Sequence, residues 1–214
     1  MRGLTVRPVT RRGAALRSDA ASTVKSLLAS LRSHDAYTYR HSLRTVRLSL
    51  LLGHACGADS PERLHTLSMG AVVHDVGKVY LPGEVLHKAG TLTAEEWEAV
   101  KRHPLDGARM LLGVAAAEGV RRVVAEHHER WDGRGYPAGL RGEEIDFNAR
   151  VVAVADAFDA MTSERPYRRA AGYEAAAAEL ERCAGTQFDP EVVLTFLRVG
   201  RARLEAIIGT GAPG

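Results

Sequence analysis

Five histidines and two aspartates are the residues of this chain whose types and spacing suit a metal-dependent hydrolase. They are His41, His74, Asp75, His103, His127, His128 and Asp156. Divalent first-row metals prefer imidazole and carboxylate ligands where thiolates are absent. Adjacent residues on a helix point about 100° apart, so His74 and Asp75 suit two neighbouring ions better than one. A carboxylate of Asp75 that bridges both ions would create a two-metal hydrolytic centre.

The other four histidines are interpreted as ordinary residues. An isolated histidine is more often a surface or core residue than a ligand, and a His-Asp dipeptide alone is weak evidence. His34, His54, His65 and His87 lie outside any longer pattern.

Helices are predicted to position the candidate ligands, because helical periodicity dominates from Ala21 onwards and β-alternation is nearly absent. Ser60 before Pro61, and Thr93 as the start of a capping box, are helix-start signals. Asn148 is predicted to cap the helix that carries Asp156. Residues 79–92 are predicted to form a connecting loop. Trp97, Leu111 and Leu112 have core-like spacing and receive no functional role.

The predicted organisation is one all-α domain over residues 21–205, with an N-terminal arm or linker over 1–20 and a flexible tail over 206–214. The formal net charge of +3 is too balanced to indicate binding of DNA. Two distant cysteines outside any CxxC pattern predict neither a disulfide framework nor a structural zinc site. Without an apolar leader or a run of about 18 apolar residues, a soluble cytoplasmic protein is expected.

Longer motifs surround the candidate ligands. They are HSLR at 41–44, HDVGK at 74–78, LTAEEWEAVKRHPLDG at 92–107, HHERWDGRGYP at 127–137 and ARVVAVADAFDAMTSERPYR at 149–168. Asp35, Tyr37 and Thr38 precede them, and GTQFDP at 185–190 follows. In order and spacing this set resembles the HD-GYP family, a branch of the HD phosphohydrolases, over roughly residues 34–195. The resemblance implies an HD-type helical bundle that hydrolyses cyclic di-GMP in bacterial signalling.

The resemblance also implies two metal ions, iron or manganese. One would be held by His41, His74, Asp75 and Asp156, and the other by Asp75, His103, His127 and His128. Some members hold a third ion with a glutamate one helical turn before the first histidine. Tyr37 stands there in this chain, so two ions are expected, with a bridging hydroxide between them as the nucleophile.

Several residues are predicted to contact substrate. Lys78 follows His74 by one helical turn and is expected to donate to a phosphate oxygen, the alternative being a lysine that complements the helix dipole. Arg165 and Arg168 are three residues apart and match phosphate- or base-binding positions of the family. Asp159 would contact substrate or orient a metal ligand, or be a surface acid.

The loop Gly135-Tyr136-Pro137 has a structural and a functional interpretation. Glycines and a proline suffice to explain a tight loop. The resemblance places the loop near substrate, with Tyr136 stacked on a guanine or filling a core gap, and makes it a docking surface for GGDEF-domain diguanylate cyclases. Glu129 is interpreted as a group that orients an imidazole. A homodimer is also compatible with the sequence.

The leading hypothesis is a phosphodiesterase that converts cyclic di-GMP to pGpG, with cleavage onward to GMP left open. One alternative is an HD phosphohydrolase acting on another nucleotide, such as a different cyclic dinucleotide. Another is a non-catalytic module that binds cyclic di-GMP or a GGDEF domain. All seven candidate ligands are present, which favours the enzyme.

Overall fold

The computed structural model describes residues 11–114, 117–164 and 169–209, with side chains described from residue 21 to residue 207 within those ranges. These residues form α-helices and two short 3-10 turns, and their one β feature is an isolated bridge between Ala184 and Phe188. The predicted all-α class is therefore confirmed. Arg165 and Arg168, the predicted phosphate-contacting arginines, lie outside the described residues.

The α-helices follow one another along the chain with short connections. They are α1 (Arg11–His34), α2 (Ala36–Ala55), α3 (Pro61–Val73), α4 (Gly83–Leu86), α5 (Ala94–Lys101), α6 (His103–Met110), α7 (Glu118–Glu126), α8 (Phe147–Thr162), α9 (Tyr173–Arg182), α10 (Pro190–Val199) and α11 (Arg201–Gly209). The 3-10 turns are Val76–Tyr80, between α3 and α4, and Gly142–Glu144, before α8.

Helix α1 begins inside the segment predicted as an arm, and α11 extends into the predicted tail. The predicted domain limits, at residues 20/21 and 205/206, therefore fall within helices. Helical structure extends beyond the predicted range of 21–205 on both sides. Among the described residues, no helix combines the length and apolar character that crossing a membrane requires.

Capping residues explain where several helices begin. The Ser60 hydroxyl accepts from the amide of Arg63, and Thr93 and Glu96 form the predicted reciprocal capping box of α5. The prediction for α8 was wrong by two residues. Asp146 is its N-cap and accepts from the amide of Asn148, because both residue types cap well and only the chain path decides between them.

The main core lies where α2, α3 and α8 pack together with the C-terminal helices. Leu48, Leu52, Leu67, Val151 and Phe158 are all at most 2% exposed. Each side chain of this kind stabilises the fold by roughly 1.5–3 kcal/mol on burial. This core holds α2 and α8 side by side, so that residues on their facing surfaces can meet.

A second cluster of apolar residues lies beneath the candidate ligands. It contains Val73, Val76, Val120 and Val124, from the end of α3, the first 3-10 turn and α7. Val73 and Val76 flank the His74-Asp75 pair, and Val124 precedes His127 by three residues. Burial of these valines fixes the backbone from which three candidate ligands project.

Gly77 permits the close approach of the first 3-10 turn to α6. A Cβ atom at this position would lie 2.0 Å from the carbonyl oxygen of His103 and 2.7 Å from the amide nitrogen of Gly107. Both atoms belong to the backbone, which has little freedom to move aside. The absence of a side chain at Gly77 therefore brings Asp75 close to His103.

Candidate metal centre

The predicted ligands project from five places along the chain toward one space. His41 lies on α2 and Asp156 on α8, while His74 and Asp75 follow α3 directly. The remaining three come from the start of α6 and the end of α7, at His103, His127 and His128. All seven residues, widely separated in sequence, are brought together.

Two overlapping groups of side chains can hold metal ions. Asp75, His103, His127 and His128 offer ligand atoms within 4.8 Å of one another, and so do His41, His74 and Asp75. Asp75 belongs to both groups, as expected for a carboxylate between two ions. Asp156 adjoins the second group, with Oδ1 2.8 Å from Nε2 of His41 and 3.9 Å from Nε2 of His74.

Backbone carbonyl groups fix the orientation of three imidazoles. The Nδ1 atoms of His74, His103 and His127 lie 2.7, 2.7 and 2.8 Å from carbonyl oxygens three residues earlier. An oxygen of this kind can only accept, so each Nδ1 carries the proton and each Nε2 presents a lone pair. These Nε2 atoms point into the shared space, which is the orientation that a ligating histidine requires.

The donor atoms fit divalent cations. The Nε2 atoms of His103 and His127 lie 3.3 Å apart. Two lone pairs at this separation repel each other unless both are directed at a bound cation. Nε2 of His74 and Oδ1 of Asp75 are buried without a hydrogen bond among the described residues. Buried polar atoms of this kind are costly unless a ligand satisfies them.

The pKa values in the group around His103 favour neutral imidazoles. Burial and, to a smaller extent, the nearby His103 lower the pKa of His128 to about 3. Burial likewise lowers the pKa of His127 well below its ordinary value, with His128 adding to the effect. A neutral imidazole is the metal-binding form, so these two side chains need not lose a proton before they bind.

Asp75 is ionised despite its burial. Burial opposes the charge, but the ammonium group of Lys78 and the imidazole of His74 hold the pKa of the carboxyl well below its usual range. Lys78 Nζ lies 2.6 Å from Oδ2 of Asp75, and the lysine side chain is 24% exposed. Lys78 thus lies at the edge of the candidate centre, and its contact with phosphate stays a prediction.

His41 is held from behind by Asp159. Nδ1 of His41 lies 2.6 Å from Oδ2 of Asp159, and Arg44 donates to both oxygens of the same carboxylate. Burial would lower the pKa of His41, but the bonds to Asp156 and Asp159 raise it to about 9. Asp159 is fully buried, so the prediction that it contacts substrate directly is corrected. Its position fits the other predicted role, which is to orient a candidate ligand.

Tyr136 packs on the outermost histidine. Its ring stacks on the ring of His128, with centroids 5.0 Å apart and planes 29° from parallel. The loop approaches the chain closely, since a Cβ atom at Gly135 would lie 2.3 Å from the amide nitrogen of Arg130. A glycine is therefore needed before Tyr136 for the ring to reach His128.

Glu129 anchors this loop. Its carboxylate accepts from the amides of Ala138, Gly139 and Leu140 at 2.6, 3.1 and 3.1 Å. Burial raises the pKa of Glu129, although the three amides act in the opposite direction. The predicted role of orienting an imidazole is therefore corrected, because the bonds that Glu129 makes go to the loop that carries Tyr136.

A cleft of about 480 Å³ opens above the candidate ligands. Its charged and polar lining includes His41, Asp75, Lys78, Lys88 and Asp156. Apolar and aromatic side chains complete the wall, among them Tyr37, Leu86, Trp97, Val100, Tyr136 and Ala160. The cleft thus combines a region rich in metal-ligand atoms with walls that can contact flat, apolar parts of a ligand.

Sequence reasoning missed two residues of this region. Arg44 ends the HSLR motif but received no predicted role, although its position one helical turn after His41 could have indicated a shared partner. Trp97 was predicted to be core, yet it is 45% exposed in the cleft wall, and Leu112 is 59% exposed. Leu111 alone of that predicted core trio is buried. Periodicity identifies a helix face but not what covers it.

The sequence of this chain is similar to a family model and to several curated proteins. The family model described as HD domain matches residues 24–192. The cyclic di-GMP phosphodiesterase response regulator RpfG of Xanthomonas campestris is 41% identical over 194 residues, covering 87% of this chain and 50% of that protein. A cyclic di-GMP phosphodiesterase of Pseudomonas aeruginosa is 40% identical over 174 residues, covering 80% and 41% respectively. Relatives named 3'3'-cGAMP-specific phosphodiesterases, from Vibrio cholerae, are 33–39% identical.

A solved structure shares the fold. An HDG"Y"P protein from Bdellovibrio bacteriovorus superimposes with a TM-score of 0.65 at 20% identity, covering 87% of this chain and 63% of that chain. The present chain spans about half the length of the curated relatives it matches. The match over residues 24–192 shows that the chain belongs to the HD domain family, and the motifs around the clustered histidines and aspartates are similar to those of its HD-GYP branch.

Proposed function

We propose that this chain is a metal-dependent phosphodiesterase that hydrolyses cyclic di-GMP to linear pGpG, with cleavage onward to GMP left open. The observation that carries the proposal is the pair of ligand groups that share Asp75 beside a cleft of about 480 Å³. Pairs of adjacent cation sites are common in enzymes that hydrolyse phosphate esters. The relatives named cyclic di-GMP phosphodiesterases support the choice of substrate.

The proposed ligand sets follow the geometry. His41, His74, Asp75 and Asp156 would hold one ion, and Asp75, His103, His127 and His128 would hold the other. Divalent ions bound there would polarise a phosphoryl oxygen and lower the pKa of water. Iron and manganese are the proposed metals, as the resemblance to the HD-GYP family implies, and imidazoles and carboxylates without thiolates are donors that both ions accept.

The protein's own groups would orient the reaction. Carbonyl oxygens and Asp159 hold the imidazoles in the ligating orientation. Lys78 would donate to a non-bridging phosphate oxygen, since one ammonium group has three protons and can keep its bond to Asp75. Leu86, Val100 and Ala160 line the cleft and would exclude water around the bound phosphate, which strengthens these polar contacts.

The other predicted substrate contacts extend this proposal. Tyr136 lines the cleft, and burial raises the pKa of its phenol, so the hydroxyl remains a neutral hydrogen-bond donor. Arg165 and Arg168 lie outside the described residues. They are proposed to bind phosphate or base on the basis of their motif alone. A bidentate arginine would suit a phosphate that carries two non-bridging oxygens.

A second candidate substrate is 3'3'-cGAMP, which the names of three relatives favour. One assay separates the candidates. Metal-loaded protein is incubated with each cyclic dinucleotide, and products are identified by chromatography with mass detection. The proposal predicts pGpG from cyclic di-GMP at a higher kcat/KM than for 3'3'-cGAMP, and loss of both activities in His103→Ala. Exclusive cleavage of 3'3'-cGAMP would replace the proposed substrate, and turnover of neither would refute the proposed activity.

The loop Gly135-Tyr136-Pro137 is proposed, in addition, as a docking surface for a GGDEF domain in the cytoplasm. Arg134, Ala138 and Gly139 are exposed beside it, which leaves its outer side accessible. Arg134→Glu should weaken binding to a purified GGDEF domain without altering metal content. Unchanged binding would contradict this surface. Sedimentation of the same samples would determine whether the chain forms the homodimer with which its sequence is compatible.

A further inference from the structure

Trp97 is a large aromatic residue placed where a buried one was expected. Its side chain is 45% exposed and forms part of the wall of the cleft above the candidate metal centre. A tryptophan usually has most of its apolar surface covered in a folded protein. An indole left this open in the wall of a ligand-sized cleft offers its flat face to whatever enters.

Helix α5 holds this indole in a fixed position relative to the candidate ligands. The carbonyl oxygen of Val100, one helical turn after Trp97, lies 2.7 Å from Nδ1 of His103. At the other end, the capping box of Thr93 and Glu96 fixes the start of the helix. Lys88 Nζ donates to both carboxylate oxygens of Glu96, at 2.9 and 2.6 Å. The helix that carries the indole is thus held at both of its ends.

Tyr136 supplies a second ring next to Trp97. The two ring centroids lie 6.3 Å apart with planes at 78°, an edge-on arrangement that favours fixed rings. Tyr136 is itself stacked on His128, so a face of the phenol ring is covered. Of these two rings, the indole has the larger exposed fraction.

We propose that Trp97 stacks on a purine base of the substrate and thereby contributes base recognition to the catalytic cleft. This inference rests on the proposed phosphodiesterase function and assigns a role to a residue outside the ligand sets. Base–aromatic stacking contributes about 1–3 kcal/mol per base, and a purine covers more of an indole than a pyrimidine does. Leu86 and Val100 line the same cleft and provide apolar contact around the base.

Intrinsic fluorescence gives a direct test. The chain contains two tryptophans, so Trp131→Phe leaves Trp97 as the sole tryptophan emitter. Rapid mixing of this metal-loaded variant with cyclic di-GMP should quench its emission saturably, before turnover begins. Cyclic di-UMP, with pyrimidine bases, should quench less at equal occupancy, which is measured separately by equilibrium dialysis.

Steady-state kinetics provide the second readout. Trp97→Leu keeps apolar bulk without a π face and should raise KM for cyclic di-GMP roughly tenfold, equivalent to about 1.4 kcal/mol. Its kcat should stay within about twofold, because the reacting atoms are untouched. Trp97→Phe should recover most of the affinity. Leu112→Ala, which alters an exposed apolar residue outside the cleft lining, should match the wild type. Metal content and circular dichroism verify that each variant is folded.

The outcomes separate this inference from the proposed function. Turnover by the wild type with no quench, or equal KM values for the Phe and Leu variants, would overturn the stacking role and leave the phosphodiesterase intact. A saturable quench without turnover under any metal would support stacking and refute the enzyme. Neither quench nor turnover would overturn both.

Discussion

The Nε2 atoms of His103 and His127 lie 3.3 Å apart, and each ring donates its Nδ1 proton to a backbone carbonyl oxygen. Two lone pairs therefore face each other beside the ionised carboxylate of Asp75, in a region with little exposed surface. A bound cation would turn this repulsion into attraction. The folded protein is consequently expected to depend on metal for part of its stability.

Metal removal should lower the melting temperature. Ligand binding to the folded state adds about 2.7 kcal/mol when free metal exceeds its Kd a hundredfold. In a chain of this size 1 kcal/mol corresponds to roughly 2–4 °C, so chelation should lower Tm by roughly 5–10 °C for each ion removed. Differential scanning calorimetry with and without chelator measures the shift. His103→Ala should largely abolish it, whereas His54→Ala, at an exposed histidine, should not; equal shifts in both variants would contradict the assignment.

The pKa of His41 predicts how the stability of the metal-free protein depends on pH. Folding raises this pKa from 6.5 to about 9. The folded state then holds a proton that the unfolded state releases, so the contribution is complete below about pH 6.5 and is lost as pH rises through about 9. It amounts to about 3 kcal/mol at most.

Asp159→Asn should reduce this particular dependence, because it removes a carboxylate that stabilises protonated His41. Urea unfolding of chelator-treated wild type and variant at several pH values between 6.5 and 9.5 measures the difference. The free energy of unfolding should fall less steeply with pH in the variant. Parallel curves over this interval would show that Asp159 does not control the charge of His41.

Glu129→Gln should loosen the loop that carries Tyr136. A carboxamide, whose NH2 group cannot accept, replaces a carboxylate whose two oxygens accept three backbone hydrogen bonds. Losses of about 1–3 kcal/mol are typical when buried partners are left unsatisfied. We expect a lower free energy of unfolding and a lower kcat/KM, with metal content retained. Calorimetry, kinetics and metal analysis measure the three quantities. Glu143→Gln, at an exposed glutamate, is the control, and an equal effect there would rule out a specific anchoring role.

Gly77→Ala should separate Asp75 from His103. The added methyl group would collide with the carbonyl oxygen of His103 at 2.0 Å, and overpacking of this kind costs about 1–3 kcal/mol or more. The variant should lose stability together with affinity for metal. Gly90→Ala, where a Cβ meets nothing within 4 Å, is the matched control. Retention of full metal affinity in Gly77→Ala would show that the close approach is dispensable.

The sequence predicted those features that depend on local patterns. Capping at Ser60 and Thr93 follows from hydrogen bonds within one turn, and the candidate ligands lie within motifs of characteristic spacing. Features that depend on distant packing were not predictable. Asp159 could have been a surface acid, and only the packing of α8 against α2 places it behind His41. Trp97 follows a core-like period, but the described helices leave its face open to the cleft.

We expect Asp75 to be shared by two metal ions. Metal per chain and phosphodiesterase activity, measured on the same anaerobically purified samples with added Mn²⁺ or Fe²⁺, test it most directly. The wild type should bind about two ions and convert cyclic di-GMP, while Asp75→Ala should lose both the ions and the turnover. Asp59→Ala, at an exposed aspartate, should behave as the wild type. An Asp75→Ala protein that keeps both its metal content and its turnover would contradict the account.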